Sequence, residues 1–188
     1  FRVDWSLVRL LVTKGIPMGL QMFVVSSSMI ALISLVNRFG SEETAAFNAA
    51  MQLWNYVQMP ALAIGAAASS MAAQNVGAEK WDRVGKVAGT GVLFNFLMVG
   101  SLVTIVYVFN KSALSLFLPA NGAALAVSAH LNAIVVWSFL FFGTSIVLFG
   151  VVRATGAVRP PLRIWVIALC LIRVPFAFSV LSRWHADA

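Results

Sequence analysis

The sequence from residue 87 to residue 108 reads VAGTGVLFNFLMVGSLVTIVYV and contains no charged side chain. An α-helix needs roughly 17 to 25 predominantly apolar residues to cross a bilayer, and this run has that length. Four further apolar runs extend over residues 10–36, 45–74, 125–152 and 162–181. We therefore predict an all-α membrane protein with about five transmembrane helices.

The composition of the whole chain supports this class. Of 188 residues, 61% are hydrophobic and 10% are charged, whereas soluble domains are roughly 45 to 50% apolar and about 25% charged. Six acidic and thirteen basic side chains cannot cover the surface of a soluble domain of this size. Lipid must therefore be the solvent for much of the chain.

The breaks between the apolar runs contain residues that begin helices. Ser41 with Glu42 and Glu43 suits the positive end of a helix dipole at the start of the second run. Pro160 and Pro161 suit the first turn of the fifth run.

The net charge of +7 does not indicate nucleic-acid binding, because the basic residues are scattered singly between apolar runs. They do indicate an orientation, since Lys and Arg accumulate in cytoplasmic loops. We expect a multi-pass protein of the plasma (inner) membrane with the N-terminal end of the chain in the cytoplasm. The loops and ends on the predicted cytoplasmic side contain Arg2, Arg9, Lys14, Lys80, Arg83, Lys86, Arg153, Arg159 and Arg163, and the opposite side contains Arg38, Lys111 and Arg183.

The residues that catalysis or ion coupling would need are missing from the predicted spans. His130, His185 and Cys170 are too few and too far apart for a metal site, and no phosphate-binding loop or nucleophile motif is present. We expect no enzyme activity, no metal and no cofactor. All carboxylates lie in loops or tails, namely Asp4, Glu42, Glu43, Glu79, Asp82 and Asp187.

The second run contains a polar face. Asn48, Gln52, Asn55 and Tyr56 are spaced by three or four residues, which places them on one side of a helix. One hypothesis is that the amides bond to neighbouring helices, and the other is that they line a solvated cavity. The spacing alone leaves both open.

Three prolines lie within the predicted spans. Pro60 interrupts the second run and precedes a small-residue surface from residue 61 to 73, which predicts a kink and close helix packing. Pro17 opens the first run, in which Gln21 and Ser28 share a face. Arg173, the single base inside a span, precedes Pro175, and either reaches the membrane surface or has a buried partner.

Several of these stretches together resemble the multidrug and toxic compound extrusion (MATE) family. They are GIPMGLQ at residues 15–21, Met59-Pro60 with Ala63-Ile64-Gly65, and above all QNVGAEK at residues 74–80. Arg153-Ala154-Thr155-Gly156 and Arg173-Val174-Pro175 are similar to the closing helices of the family.

The resemblance implies a fold of twelve helices in two lobes, of which residues 1–188 would form a partial C-terminal lobe containing helices seven to eleven. Such a transporter exports cationic or amphipathic organic compounds in exchange for sodium ions or protons, by alternating access of its lobes. We therefore expect the sequence to be cut at both ends and the N-terminal lobe of the same polypeptide to be a partner, together with lipid and a small organic substrate. Because helices seven and eight line the family's cavity, the implied substrate residues are Gln21, Asn48, Gln52, Asn55 and Tyr56, and the implied structural or hinge residues are Pro17, Pro60, Gly77, Arg173 and Pro175.

The chain departs from the family in its acids. Members with a cation site in the second lobe have carboxylates in helices seven and ten, where this sequence has apolar residues such as Phe23 and Phe142. We therefore expect the coupling cation to bind outside this chain. Two alternatives stay open: a lipid-linked saccharide flippase of the same superfamily, and a membrane fragment that does not transport.

Overall fold

A computed structural model describes residues 4–119, 122–177 and 179, and these residues are almost entirely helical, with no strand among them. The predicted all-α membrane fold is confirmed. Residues 178, 180 and 181 of the fifth predicted run lie outside the described residues. The helices are α1 (Trp5–Val36), α2 (Ser41–Gly77), α3 (Trp81–Val108), α4 (Asn110–Leu114), α5 (Ala123–Val135), α6 (Ser138–Ala154) and α7 (Arg159–Val166), and a π-helical segment (Ile167–Arg173) follows α7.

Three helices of the described chain are long and apolar enough to cross a membrane: α1, α3 and the helix that runs from Arg159 through the π-helical segment to Ala177. Together α5 and α6 meet the same criterion as one bent span. The second predicted span, α2, has 37 residues but does not meet it, because amide and small side chains lower its hydropathy. The protein is a multi-pass membrane protein.

The first helix begins five residues earlier than the sequence predicts, at Trp5. Asp4 precedes it and accepts hydrogen bonds from the Ser6 amide (2.9 Å) and the Ser6 hydroxyl (2.6 Å). These donors stabilise the carboxylate and lower the pKa of Asp4 below its ordinary value. Asp4 therefore acts as a cap for α1.

The run from residue 125 to 152, predicted as one helix, is instead two helices that meet at a bend of 51°. No proline lies at this bend. The Ser138 hydroxyl donates to the Val135 carbonyl (2.6 Å), and the Phe139 amide donates to the Val136 carbonyl three residues back (3.2 Å). A hydroxyl bonded to its own backbone often bends a helix, and here the change to three-residue bonds beside it tightens the turn.

The π-helical segment has a cause in the sequence that follows it. Pro175 has no amide hydrogen and its ring would collide with the carbonyl four residues earlier in a regular α-helix. The Val174 amide donates to the Leu169 carbonyl five residues back. The wider turn accommodates Pro175 without ending the helix.

The chain divides into two compact units, residues 1–35 with 156–188 and residues 36–155. In the second unit α2 packs against α3, α5 and α6, and α3 also packs against α6. A methyl group at Gly150 would lie 2.7 Å from the Gly65 carbonyl oxygen, and one at Gly65 would lie 2.6 Å from the Ile146 side chain. The small residues predicted to permit close packing therefore bring α2 and α6 into backbone contact.

The connection between α2 and α3 ends α2 with a Schellman motif. The Lys80 amide donates to the Asn75 carbonyl (2.8 Å), and the Glu79 amide donates to the Val76 carbonyl (3.0 Å). Glu79 occupies the left-handed position, with φ of 58°, where glycine is the usual residue. The QNVGAEK stretch therefore forms a tight, ordered reversal between two antiparallel helices.

Candidate functional site

The polar face predicted on the second run is exposed in the structure. Asn48, Gln52, Asn55 and Tyr56 are all exposed on α2, and the intervening Leu53 is buried. A helix with 3.6 residues per turn separates such sets onto different sides. The structure therefore places these four predicted residues on one exposed surface, which we call the amide face.

The hydrogen bonds of the amide face stay within α2. The Gln52 amide donates to the Tyr56 hydroxyl (3.4 Å), and the Gln58 amide donates to Asn55 Oδ1 (2.8 Å). No hydrogen bond joins these side chains to another helix in the part of the chain that the structure describes. The Tyr56 ring stacks on Phe117, with ring centroids 6.4 Å apart. This face thus combines exposed amide donors and acceptors with a stacked aromatic pair, a combination that suits a flat organic molecule.

The remaining predicted substrate residue, Gln21, is buried in α1 and belongs to the other compact unit. Ser28 lies two turns further along α1 and is also buried. Together with Leu32, Leu35 and Arg173 it lines a small cleft within that unit. Arg173 is exposed, and no hydrogen bond or ion pair joins it to another described residue.

The predicted hinge residues lie at different positions in their helices. Pro17 and Pro60 are inside α1 and α2, which continue through them as helices. Gly77 is the last residue of α2. Pro175 follows the π-helical segment. Whether any of them is a hinge stays a prediction.

A buried hydrogen-bond network behind the amide face was not predicted. The Trp54 indole donates to Asn132 Oδ1 (2.8 Å), the Asn132 amide donates to Asn110 Oδ1 (2.9 Å), and the Asn110 amide donates to the Ala129 carbonyl (2.8 Å). Asn132 is fully buried. The network therefore ties the helix that carries the amide face to α4 and α5. An isolated asparagine in an apolar run was the only signal for it in the sequence.

A second unpredicted polar contact joins α3 and α6. Asn95 is fully buried and its amide donates to the Leu140 carbonyl (3.3 Å). Its side chain fills the space beside Gly143, where a methyl group would collide with it. Glycine at this position therefore lets a polar side chain enter the contact between the helices.

The potential metal ligands are dispersed in the described part of the chain. Among residues 4–119, 122–177 and 179, no three His, Cys, Asp or Glu side chains come together. The acids that the structure describes at helix starts, Glu42, Glu43 and Asp82, lie in first turns. The amide face presents neutral hydrogen-bonding groups and a stacked ring pair.

Comparison with known families matches residues 17–179 to the MatE family model. The chain belongs to the MatE family. The resemblance predicted from the sequence motifs is thereby confirmed. The match begins within α1 at Pro17 and ends at Ser179, so it includes the whole amide face.

Curated relatives extend beyond this chain. It is 40% identical over 97% of its length to the probable multidrug resistance protein YoeA of Bacillus subtilis strain 168, covering 39% of that protein. It is 34% identical over 96% of its length to the probable multidrug resistance protein YpnP of the same organism, covering 40% of it. The probable multidrug resistance protein NorM of Thermotoga maritima is 22% identical over 95% of the chain and 38% of its own length. The chain thus spans about two fifths of these relatives, and no solved structure matches it significantly.

Proposed function

We propose that the chain is part of the C-terminal lobe of a secondary active antiporter that exports cationic or amphipathic organic compounds in exchange for sodium ions or protons. Membership of the MatE family and the multidrug resistance names of its relatives support this proposal. The complete transporter would contain a further lobe and work by alternating access. Its activity is transport without catalysis, in the inner membrane, with the N-terminal end of this chain in the cytoplasm.

The observation that carries the proposal is the amide face of α2. Exposed neutral amides and an aromatic pair bind organic cations of varied shape without a fixed charge partner, which suits broad specificity. Among the described residues, the carboxylates within α2 and α3 lie only in the first turns, at Glu42, Glu43 and Asp82. None lies deep in a span, so the coupling sodium ion or proton would bind in the other lobe. Gln21, which belongs to the other compact unit, remains a predicted substrate residue of that unit.

Drug accumulation in cells tests this proposal. Cells that lack their own efflux pumps would express the full-length gene, and intracellular ethidium would be measured with and without an energised membrane. Gln52→Ala and Asn55→Ala each remove one hydrogen-bonding group of the face. A hydrogen bond is worth about 0.5 to 1.5 kcal/mol, so we expect apparent affinities to fall about 2- to 10-fold.

The control is Ser101→Ala, which removes an exposed hydroxyl of α3 that bonds to its own helix at Met98. It should leave both export and compound preference unchanged. Wild-type affinity and preference in both amide variants would assign the face to helix packing instead. Unchanged accumulation of a broad compound panel with the wild-type gene would refute drug export itself.

A further inference from the structure

A long apolar groove runs between α2 and α3 in the second compact unit. Its volume is about 730 Å³, within the range of about 300 to 1,000 Å³ typical of ligand sites. Small and flexible apolar side chains form most of its walls, among them Ala63, Ala67, Met71, Phe94 and Met98. We call it the α2–α3 groove.

One end of the groove is cationic. Arg83 and Lys86, in the first turns of α3, both line it, and Asn75 near the end of α2 lines it beside them. Both basic side chains are exposed. The acids of the same connection, Glu79 and Asp82, do not line the groove. The apolar channel therefore ends at two positive charges with no carboxylate in its walls.

The length of the groove fits one leaflet of a membrane. It extends along α2 from Pro60 to Asn75, about fifteen residues or roughly 22 Å at about 1.5 Å per residue. Half of a hydrocarbon core is about 15 Å thick, so the groove spans one leaflet and reaches the headgroup level. The basic end lies at the turn between two helices, where headgroups are found.

We propose that the α2–α3 groove holds an anionic phospholipid, with an acyl chain between the helices and the phosphate at Arg83 and Lys86. Every membrane lipid has acyl chains, so the acyl chain fills the groove without selecting one lipid. The two cations select lipids with an anionic headgroup. Basic sites between transmembrane helices bind anionic headgroups in this way. The small residues of α2 leave the space that the acyl chain fills.

The charge also separates this site from the proposed export route. Tyr56 and Ala63 are seven residues apart, so the groove continues along α2 from the amide face. An organic cation on the amide face would meet no charge there, but at the far end of the groove Arg83 and Lys86 would repel it. The lipid site does not depend on transport, so it can be tested without it.

Native mass spectrometry of the full-length protein in detergent tests the proposal. Phosphatidylglycerol and phosphatidylcholine with identical acyl chains would be added separately, and the apparent dissociation constants compared. Each Lys or Arg near an anionic lipid surface is worth about 1 kcal/mol, or about fivefold in affinity. The double variant Arg83→Gln with Lys86→Gln should lose about 30-fold in phosphatidylglycerol affinity and little in phosphatidylcholine affinity.

The charge-matched control is Lys80→Gln with Lys111→Gln, which removes two exposed lysines outside the groove. It should retain the preference for phosphatidylglycerol. The groove itself is tested by Ala67→Phe, which fills it, against Ala66→Phe, which places the same ring on an exposed neighbour that does not line it. Only Ala67→Phe should weaken binding of both lipids.

Four results would overturn the proposal. Equal phosphatidylglycerol affinity in the Arg83 and Lys86 double variant and the wild type would remove the headgroup site. Unchanged lipid binding in Ala67→Phe would remove the acyl site. Competition by ethidium would make the groove part of the export route. If the wild-type protein retains no lipid and Ala67→Phe also lowers the unfolding temperature, another helix of the polypeptide fills the groove instead of a lipid.

Discussion

Gly150→Ala tests the backbone contact between α2 and α6, on which the position of the amide face depends. The added methyl carbon would lie 2.7 Å from the Gly65 carbonyl oxygen, whereas a close C···O contact in proteins is about 3.3 to 3.6 Å. The obstacle is backbone, so it cannot rotate away and the two helices must separate. Forcing an extra methyl group into a packed contact costs about 1 to 3 kcal/mol.

The helix propensity of alanine works against this cost. Alanine is favoured over glycine inside a helix by about 0.8 to 1.0 kcal/mol, so the net destabilisation is about 0 to 2 kcal/mol. Gly89→Ala separates the two effects, because a methyl group at Gly89 would have nothing within 4 Å. That variant should be as stable as the wild type or more so.

The difference between Gly150→Ala and Gly89→Ala therefore isolates the steric cost at about 1 to 3 kcal/mol. Reversible unfolding in sodium dodecyl sulfate, followed by tryptophan fluorescence, measures it. Far-ultraviolet circular dichroism would verify that both variants keep their helix content. Equal free energies of unfolding for the two alanine variants would refute the close contact.

Further predictions concern the buried network, two left-handed backbone positions and the start of α1. Asn132→Ala should lower the free energy of unfolding by about 1 to 2 kcal/mol in the same assay, because the Trp54 indole loses its buried acceptor; no change would show that the network contributes nothing. Glu79→Gly should raise the free energy of unfolding by up to about 1 kcal/mol, because glycine adopts the left-handed conformation of this position without strain. Gly156→Ala should lower the free energy of unfolding by a similar amount, because Gly156 has φ of 82°. Changes of the opposite sign would contradict the backbone conformation at these two positions. Because folding lowers the pKa of Asp4, the cap stabilises α1 fully at a pH above the ordinary pKa of aspartate. This stabilisation is lost as the pH falls through the lowered pKa. A titration by nuclear magnetic resonance that gives an ordinary pKa for Asp4 would refute the cap.

The sequence was sufficient to predict the helices because the bilayer imposes one simple requirement, an apolar run of sufficient length. The α3 helix met it with residues 87–108, a run that contains no charged side chain. The α2 helix was also predicted, although its hydropathy is lower, because Ser41 and the turn after Gly77 define its ends. Both are local signals, readable from neighbouring residues.

The bend between α5 and α6 was beyond prediction for a physical reason. Most serines in membrane helices bond to their own backbone, and Ser145, for example, donates to the Phe141 carbonyl (2.9 Å) without a bend. What distinguishes Ser138 is the change to three-residue bonds beside it, which depends on packing. The Trp54–Asn132 bond was equally inaccessible, because its partners are 78 residues apart.

The amide face was predicted from spacing alone, and the structure adds what the other side of α2 does. On that other side, Gly65 packs against α6 and Leu53 packs in the hydrophobic core. Because these contacts hold α2 in place, the helix cannot rotate to bury its amides. Exposed amides facing lipid would lose hydrogen bonds with water at a cost of about 1 to 3 kcal/mol each on the scale of protein mutations. Asn48 and Gln52 must therefore meet water or another polar surface. The amides that lower the hydropathy of α2 are thus the ones a water-filled cavity requires, which supports the proposed export route along the amide face.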